Sequence, residues 1–371
     1  MSQAIAKSRQ NSFIPPYCPN PNCSNHRNPV AEFFRRKGKI LVKKYPGYNK
    51  RFQCKTCGRY FVFSAFALDY RCRSNSFEKI FWSSTQGMSN RSIARMLGFS
   101  EHKVRQSLKL LARQALLRWE LLAKNLTVRE PLAYDGFETF IRSQYDINNI
   151  NHLVGKKSLF VYDFNYSHLN RKGKMTELQR EKLKQIEEKF GRYPTDRVRI
   201  QTKNIFQRIL KTNNTPLILH TDEHKTYQLV LGNDLGKHGI LHQVTNSKKC
   251  RNGKNPLFPV NHLDMKIRHF LKSCTRETIA FNKNEAGLMD RMILFLASKN
   301  FMRGKFIKGK IGDNEKSPAM IVGITKKIFS FKEFFFGRMT AFQVHIRECW
   351  REFYYRKFVF ARYEMAAYSG C

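Results

Sequence analysis

From Phe77 to Leu111 apolar residues recur at intervals of three and four: Phe77, Ile80 and Phe81, then Ile93, Met96 and Leu97, then Val104, Leu108 and Leu111. That period puts each set on one face of an α-helix and predicts three short helices. Ser89 precedes the second, Gly98 follows it and Ser100 precedes the third, so cap, turn and cap succeed one another as in a helix-turn-helix. Beyond Lys124 the pattern shortens. PLAYDGFETFI, INHLVG and SLFVYDFNY read as β-strands, the first two close enough to pair as a hairpin. A basic insertion near 170–210 follows, in which RKGKMTELQREKLKQIEEKFG reads as a solvated helix and IQTKNIFQRILKT as a second one. The strands PLILHTDEHKTY and GILHQVTN come next, then the helices NHLDMKIRHFLKS and EAGLMDRMILFLA. Strands that open a segment and later alternate with helices predict an α/β domain with a mixed sheet.

Ahead of these helices, Cys18 and Cys23 in CPNPNC and Cys54 and Cys57 in CKTCGRYF form two close pairs. Each pair sits among turn-forming residues, and the β-prone stretches FFRRKGKILVKKY and KRFQC lie between them. Two such knuckles present the four thiolates that a structural Zn2+ prefers, so a zinc ribbon is expected. The first pair is spaced by four residues instead of two, and nearby His26 is able to replace one cysteine. Cys72, Cys250, Cys274, Cys349 and Cys371 have no close partner in sequence and are expected to be reduced, buried thiols. The expected division is a ribbon over 1–74, a helix-turn-helix over 75–125 and an α/β domain over 126–371.

Charge narrows the choice of partner. The chain carries 68 Lys and Arg against 28 Asp and Glu, a net charge of +40 over 371 residues. Such an excess repels itself unless a polyanion neutralises it, and nucleic acid fits best. Residues 1–125 alone hold 24 basic and 5 acidic residues. His102, Lys103, Arg105, Gln106 and Lys109, on the helix after Ser100, are types that reach base edges and phosphates in a major groove. The terminal stretch FKEFFFGRMTAFQVHIRECWREFYYRKFVFARY interleaves aromatics with cations, a pattern that suits either base stacking or a helix docked on the core. No apolar run approaches the ~20 residues of a membrane span, and MSQAIAKSRQNSFIPPY lacks the apolar middle of a secretory signal. A cytoplasmic protein associated with the nucleoid, with no membrane partner, is expected. Glycine-rich nucleotide loops of the types GxGxxG and GxxxxGK[ST] are absent.

Acidic residues end two of the apolar strands: Asp135 after PLAY and Asp222 after PLILHT. Asp264 lies on a later helix, with Arg268 and Lys272 beyond it. Three carboxylates from separate elements of one sheet can converge on two Mg2+ ions, which suits in-line phosphoryl transfer. Glu277 and Glu285 compete with Asp264 for the third position, Asp163 competes with Asp135, and Glu138, His220 and His224 are supporting candidates.

The stretches YDGFETFIRSQYDINNINHLVG, HTDEHKTY, FPVNHLDMKIRHFLKS, RETIAF and SPAMIVGIT resemble the DDE-type transposases of bacterial insertion sequences, in particular those that begin with a zinc ribbon and helix-turn-helix. In that family the first acid lies on the opening strand, the second after a later strand and the third on a following helix. Carried over, these are Asp135, Asp222 and Asp264, although many relatives have glutamate at the third position. The resemblance implies a ribonuclease H-like catalytic domain over 126–371, catalytic Mg2+, double-stranded DNA as partner (element ends and target), a homo-oligomer on DNA, and end cleavage followed by strand transfer. The alternative readings are a metal-dependent nuclease or resolvase without strand transfer, and a non-catalytic zinc-dependent DNA-binding regulator.

Overall fold

A computed structural model describes residues 13–20, 22–42, 47–66, 68, 76–213, 216–235, 239–246, 248–275, 280–306, 315–335, 337–356 and 358. Two compact units result: residues 1–77 with 335–345, and residues 78–334 with 346–371. The helix-turn-helix segment belongs to the same unit as the large sheet. The stretch 335–345, expected to belong with the sheet, is part of the first unit.

In the first unit the strands β1 (Phe34–Leu41), β2 (Tyr48–Cys54) and β3 (Tyr60–Val62) form an antiparallel sheet. β1 is exposed along nearly its whole length, as its cations require, so the core is built beneath the sheet. Tyr17, Phe33, Phe52, Phe61 and Phe66 supply that core together with Cys18, Cys23 and Cys54. The returning segment is fastened by Arg338 N–H, which donates to Phe66 O at 2.8 Å.

The second unit is mixed α/β. Its helices α1 (Phe77–Thr85, from the last residue of the first unit), α2 (Asn90–Leu97) and α3 (Glu101–Leu122) carry the expected signals: Ser89 and Ser100 cap α2 and α3 through their side chains, and Gly98 ends α2 at φ +66°. α3 is not short. It runs for 22 residues, because after Lys109 its apolar positions close up into Leu111, Ala112, Ala115, Leu116, Leu117 and Trp119, all buried.

The five-stranded sheet contains β4 (Leu132–Ile141), β5 (Ser143–Gly155), β6 (Val161–Leu169), β7 (Leu217–Thr221) and β8 (Ile240–Val244) in the order β6-β5-β4-β7-β8. β4, β5 and β6 are antiparallel neighbours, whereas β7 and β8 run parallel to β4. Between β6 and β7 lie α4 (Glu177–Phe190) and α5 (Arg197–Lys211). α4 buries only Leu183 and Ile186, as a solvated insertion should, while α5 packs on the sheet through Phe206, whose ring is 4.8 Å from that of Tyr134. After β8 come α6 (Phe258–Phe270) and the apolar α7 (Glu285–Ala297). Trp350 and Phe353 of α8 (Glu348–Tyr355) are buried, with the Trp350 ring 4.9 Å from Phe164 and 5.1 Å from Trp119. This part of the aromatic stretch is a docked helix. Among the described residues no helix is long and apolar enough to cross a membrane.

Candidate metal centres and acid cavity

The four cysteines of the first unit meet. Cys18, Cys23, Cys54 and Cys57 place their Sγ atoms within 4.8 Å of one another, with Cys18–Cys57 and Cys23–Cys54 both at 3.7 Å. Four thiolates at about 2.3 Å from a tetrahedral ion stand about 3.8 Å apart, so the set fits a structural metal such as zinc. The local chain explains the approach. Cys23 N–H donates to Asn20 O, Gly58 N–H donates to Cys54 O with Gly58 at φ +69°, and Asn25 bridges the knuckles by donating to Thr56 Oγ1 at 2.7 Å. His26 is not a ligand here: its Nδ1 lies 2.6 Å from Cys18 O, and its ring stands edge-on to Tyr17. Of the remaining cysteines, Cys250, Cys274 and Cys349 are free thiols outside the cluster; Cys274 is buried and Cys349 half-buried, but Cys250, expected to be buried, is exposed because it sits in a polar loop, and Cys72 and Cys371 lie outside the described residues.

In the second unit the sheet register aligns the acids. The parallel pairing of β4 and β7 ends at Leu132 with Leu219 and Ala133 with His220; two residues further along each chain stand Asp135 and Asp222. Alternation puts both on the same face. Across β4 from Asp222, Asp135 pairs with His152 of β5. α6 lies over this face, with the Arg268 guanidinium 4.5 Å from the centre of the Phe137 ring, and presents Asp264 to His152 at 3.2 Å between Oδ1 and Nε2. The two atoms are near enough to pair as ions but are not aligned as a hydrogen bond, and both are buried without a hydrogen-bond partner among the described residues. A buried carboxylate oxygen left unsatisfied is costly and is the kind of atom a cation would complete.

Electrostatics carry the same message. Burial, then the negative charges of Asp264 and Asp222, push the Asp135 carboxyl up to about 7, against the Gly136 N–H that donates to it at 2.7 Å. Burial works against a charge on His152, but Asp264 and Asp135 outweigh it and raise its pKa. A cavity of about 600 Å³ opens on Asp135, Gly136, Glu138, Arg251, Asn261, Asp264, Met265 and Arg268. Asp222 is not in that lining; its Oδ1 accepts the His224 N–H at 3.0 Å. The three carboxylates are spaced more widely than the cysteines, since among the described residues only the cysteines bring all their ligand atoms within 4.8 Å.

No protein-family model and no curated protein matches the chain. The competing acids are therefore sorted by geometry. Asp163 pairs with Leu153, which pairs with Tyr134, so it projects on the opposite face from Asp135. There it is fully buried between Arg208 and Arg347, the latter 3.0 Å away. Glu285 is buried against His168 at 3.1 Å, beside the far edge strand β6. Glu277 lies outside the described residues. His220 is on the acid face but buried, and His224 caps a short helical turn by accepting from Thr226 N–H. Two groups at the site, His152 and Arg251, were missed in sequence. His152 is signalled only by strand pairing, and Arg251 is one of many cations in a loop.

The helix-turn-helix candidates divide. His102, Arg105 and Gln106 are exposed on the first turns of α3; Lys103 lies over the Phe99 ring at 3.4 Å and Lys109 is half-buried. Burial and the nearby Arg356 and Arg113 lower the Lys109 pKa, and it is less exposed than His102, Arg105 and Gln106.

Proposed function

We propose that the chain is a DDE-type transposase that binds the ends of an insertion element, cleaves DNA and transfers the cut strand. The single observation that carries this reading is the row formed by His152, Asp135 and the position of Asp222, with Asp264 brought over it by α6 and a cavity opening on Asp135 and Asp264. The mixed sheet, with its first acid on the central opening strand, the second after the neighbouring parallel strand and the third on a later helix, supports a ribonuclease H-like domain.

Asp135, Asp222 and Asp264 would hold two Mg2+ ions, which when bound activate the attacking oxygen and offset charge on the leaving one. The protein's own part is placement. His152 stands against Asp264, while Arg251 and Arg268 supply positive charge to a phosphodiester in the cavity. Cys18, Cys23, Cys54 and Cys57 would hold a structural Zn2+, and the exposed start of α3 reads the duplex. Two ends must be held together for the reaction, so dimers or larger assemblies on DNA are expected, and gel filtration with paired-end DNA in which only monomers bind would count against them.

The deciding experiment supplies purified protein and Mg2+ with a plasmid carrying the coding gene and its native flanking DNA. A joined product is expected, abolished in Asp135→Asn, Asp222→Ala and Asp264→Asn. Equal nicking by wild type and Asp222→Ala would sink the metal assignment, and cleavage with no joined product would make the protein a nuclease.

A further inference from the structure

A second concentration of positive charge lies on the other flank of α6. Phe258, His262 and Lys266 follow at intervals of four and form one stripe along the helix; Asp264, two residues from His262, points about 200° away from it. The π-helical turn Ser298–Met302 and the residues after it bring Lys299 and Lys305 to that stripe, where His262 lies in the field of Lys266, Lys299 and Lys305. The ammonium groups are tied to main-chain carbonyls: Lys266 donates to Lys305 O at 3.3 Å, Lys305 to Lys157 O and Lys299 to Leu159 O. An ammonium has three N–H donors, so these bonds orient the heads without exhausting them.

The crowding of like charge is real. Lys299 is only 5% exposed, and burial, then Lys266 and Lys305, bring it down to about 7. Glu315 is the carboxylate felt at Lys266. Lys266 and Lys305 held beside a buried third lysine, with Glu315 the carboxylate felt there among the described residues, disfavour the empty protein and favour an anion. Beside them an apolar platform is open: the His262 ring is stacked on Phe258 at 5.3 Å, and Phe306, 41% exposed, stands 5.9 Å from His262 and 5.0 Å below the Lys305 ammonium. A free inorganic ion has no use for such a surface, whereas the sugar and base of a nucleotide do.

We infer that Lys266 and Lys305 form a subsite for one phosphate of a DNA strand, with Lys299 adding charge behind them and Phe306 flanking the nucleotide. The subsite rests on the DNA-binding part of the proposed function and not on its chemistry. It would grip the strand on the side of α6 opposite the acid cavity.

The test is the affinity for fluorescein-labelled DNA, followed by anisotropy in magnesium-free buffer across a salt series. The Lys266→Gln/Lys305→Gln double variant should lower the slope of log affinity against log salt by about one, the loss of one neutralised phosphate. Lys184→Gln, on the solvated helix α4, should keep the wild-type slope. Should the double variant unfold, Lys305→Gln alone carries the test. A folded variant with an unchanged slope overturns the subsite. So does protection of the wild type by inorganic phosphate that the variant loses while its DNA slope stays the same, since that marks a free-anion site. A protein with the expected slope change but no cleavage activity keeps the subsite and loses the transposase reading.

Discussion

Replacing Asp135 by asparagine should stabilise the protein in the absence of magnesium. The carboxyl is held at about 7, against 3.8 for an ordinary aspartate, by burial and by Asp264 and Asp222. A displacement of that size corresponds to about 4 kcal/mol between the protonated and ionised forms, and screening at the cavity mouth reduces it to about 2–4 kcal/mol. The sign follows from proton binding. Between 3.8 and about 7 the folded state keeps a proton that the unfolded state has lost, so the stability present below 3.8 is lost as the pH rises through 7. Asp135→Asn, which cannot ionise, escapes that loss. Its urea midpoint should exceed that of the wild type at pH 8, and the difference should shrink toward pH 4. The buffer must be magnesium-free but without chelator, so that the thiolate site keeps its metal. Adding Mg2+ should then raise the wild-type midpoint and leave the variant's in place, because only a state that binds the ion gains from it. A variant no more stable than wild type at pH 8 would refute the crowding of the three carboxylates.

Cys57→Ser should remove bound zinc, measured by metal analysis, and abolish hydrogen-exchange protection in β1–β3 while sparing the large sheet, since thiolate-bound zinc contributes folding energy directly. Asp163→Asn leaves Arg208 and Arg347 facing a neutral partner and should cost about 3–5 kcal/mol in a denaturant titration while keeping the response to Mg2+, the opposite pattern to Asp135→Asn. Arg105→Ala or Gln106→Ala should weaken binding to element ends by about 1–3 kcal/mol in anisotropy, with the unfolding midpoint unchanged.

What the sequence made legible was whatever depends on local chemistry. Ser89, Gly98 and Ser100 mark helix ends because caps and left-handed turns act within a few residues. The apolar runs before Asp135 and Asp222 mark strands for the same reason. β5 was only partly legible: INHLVG was expected, yet the strand starts at Ser143, because polar Asn148 and Asn149 are buried in the pairing and disguise its first half. Asn149 donates to Asn151 and Asn151 to Asn165, bonds that no periodicity reveals. The choice between Asp135 and Asp163 was illegible too. Both follow a tyrosine within the first four residues of a strand, and only the register shows that they face opposite sides. The return of 335–345 to the first unit depends on contacts far apart in sequence, such as Arg338 with Phe66, and leaves no pattern in the chain itself.

The length of α3 has a mechanical consequence. Its capped outer end carries exposed His102, Arg105 and Gln106, and about 25 Å beyond His102 the helix is wedged in the core at Trp119, with Glu120 clasping Arg347. A rod with no glycine, proline or break along its span has no joint at which to flex. A load on the outer turns would therefore be delivered as torque to the interior instead of being absorbed along the helix.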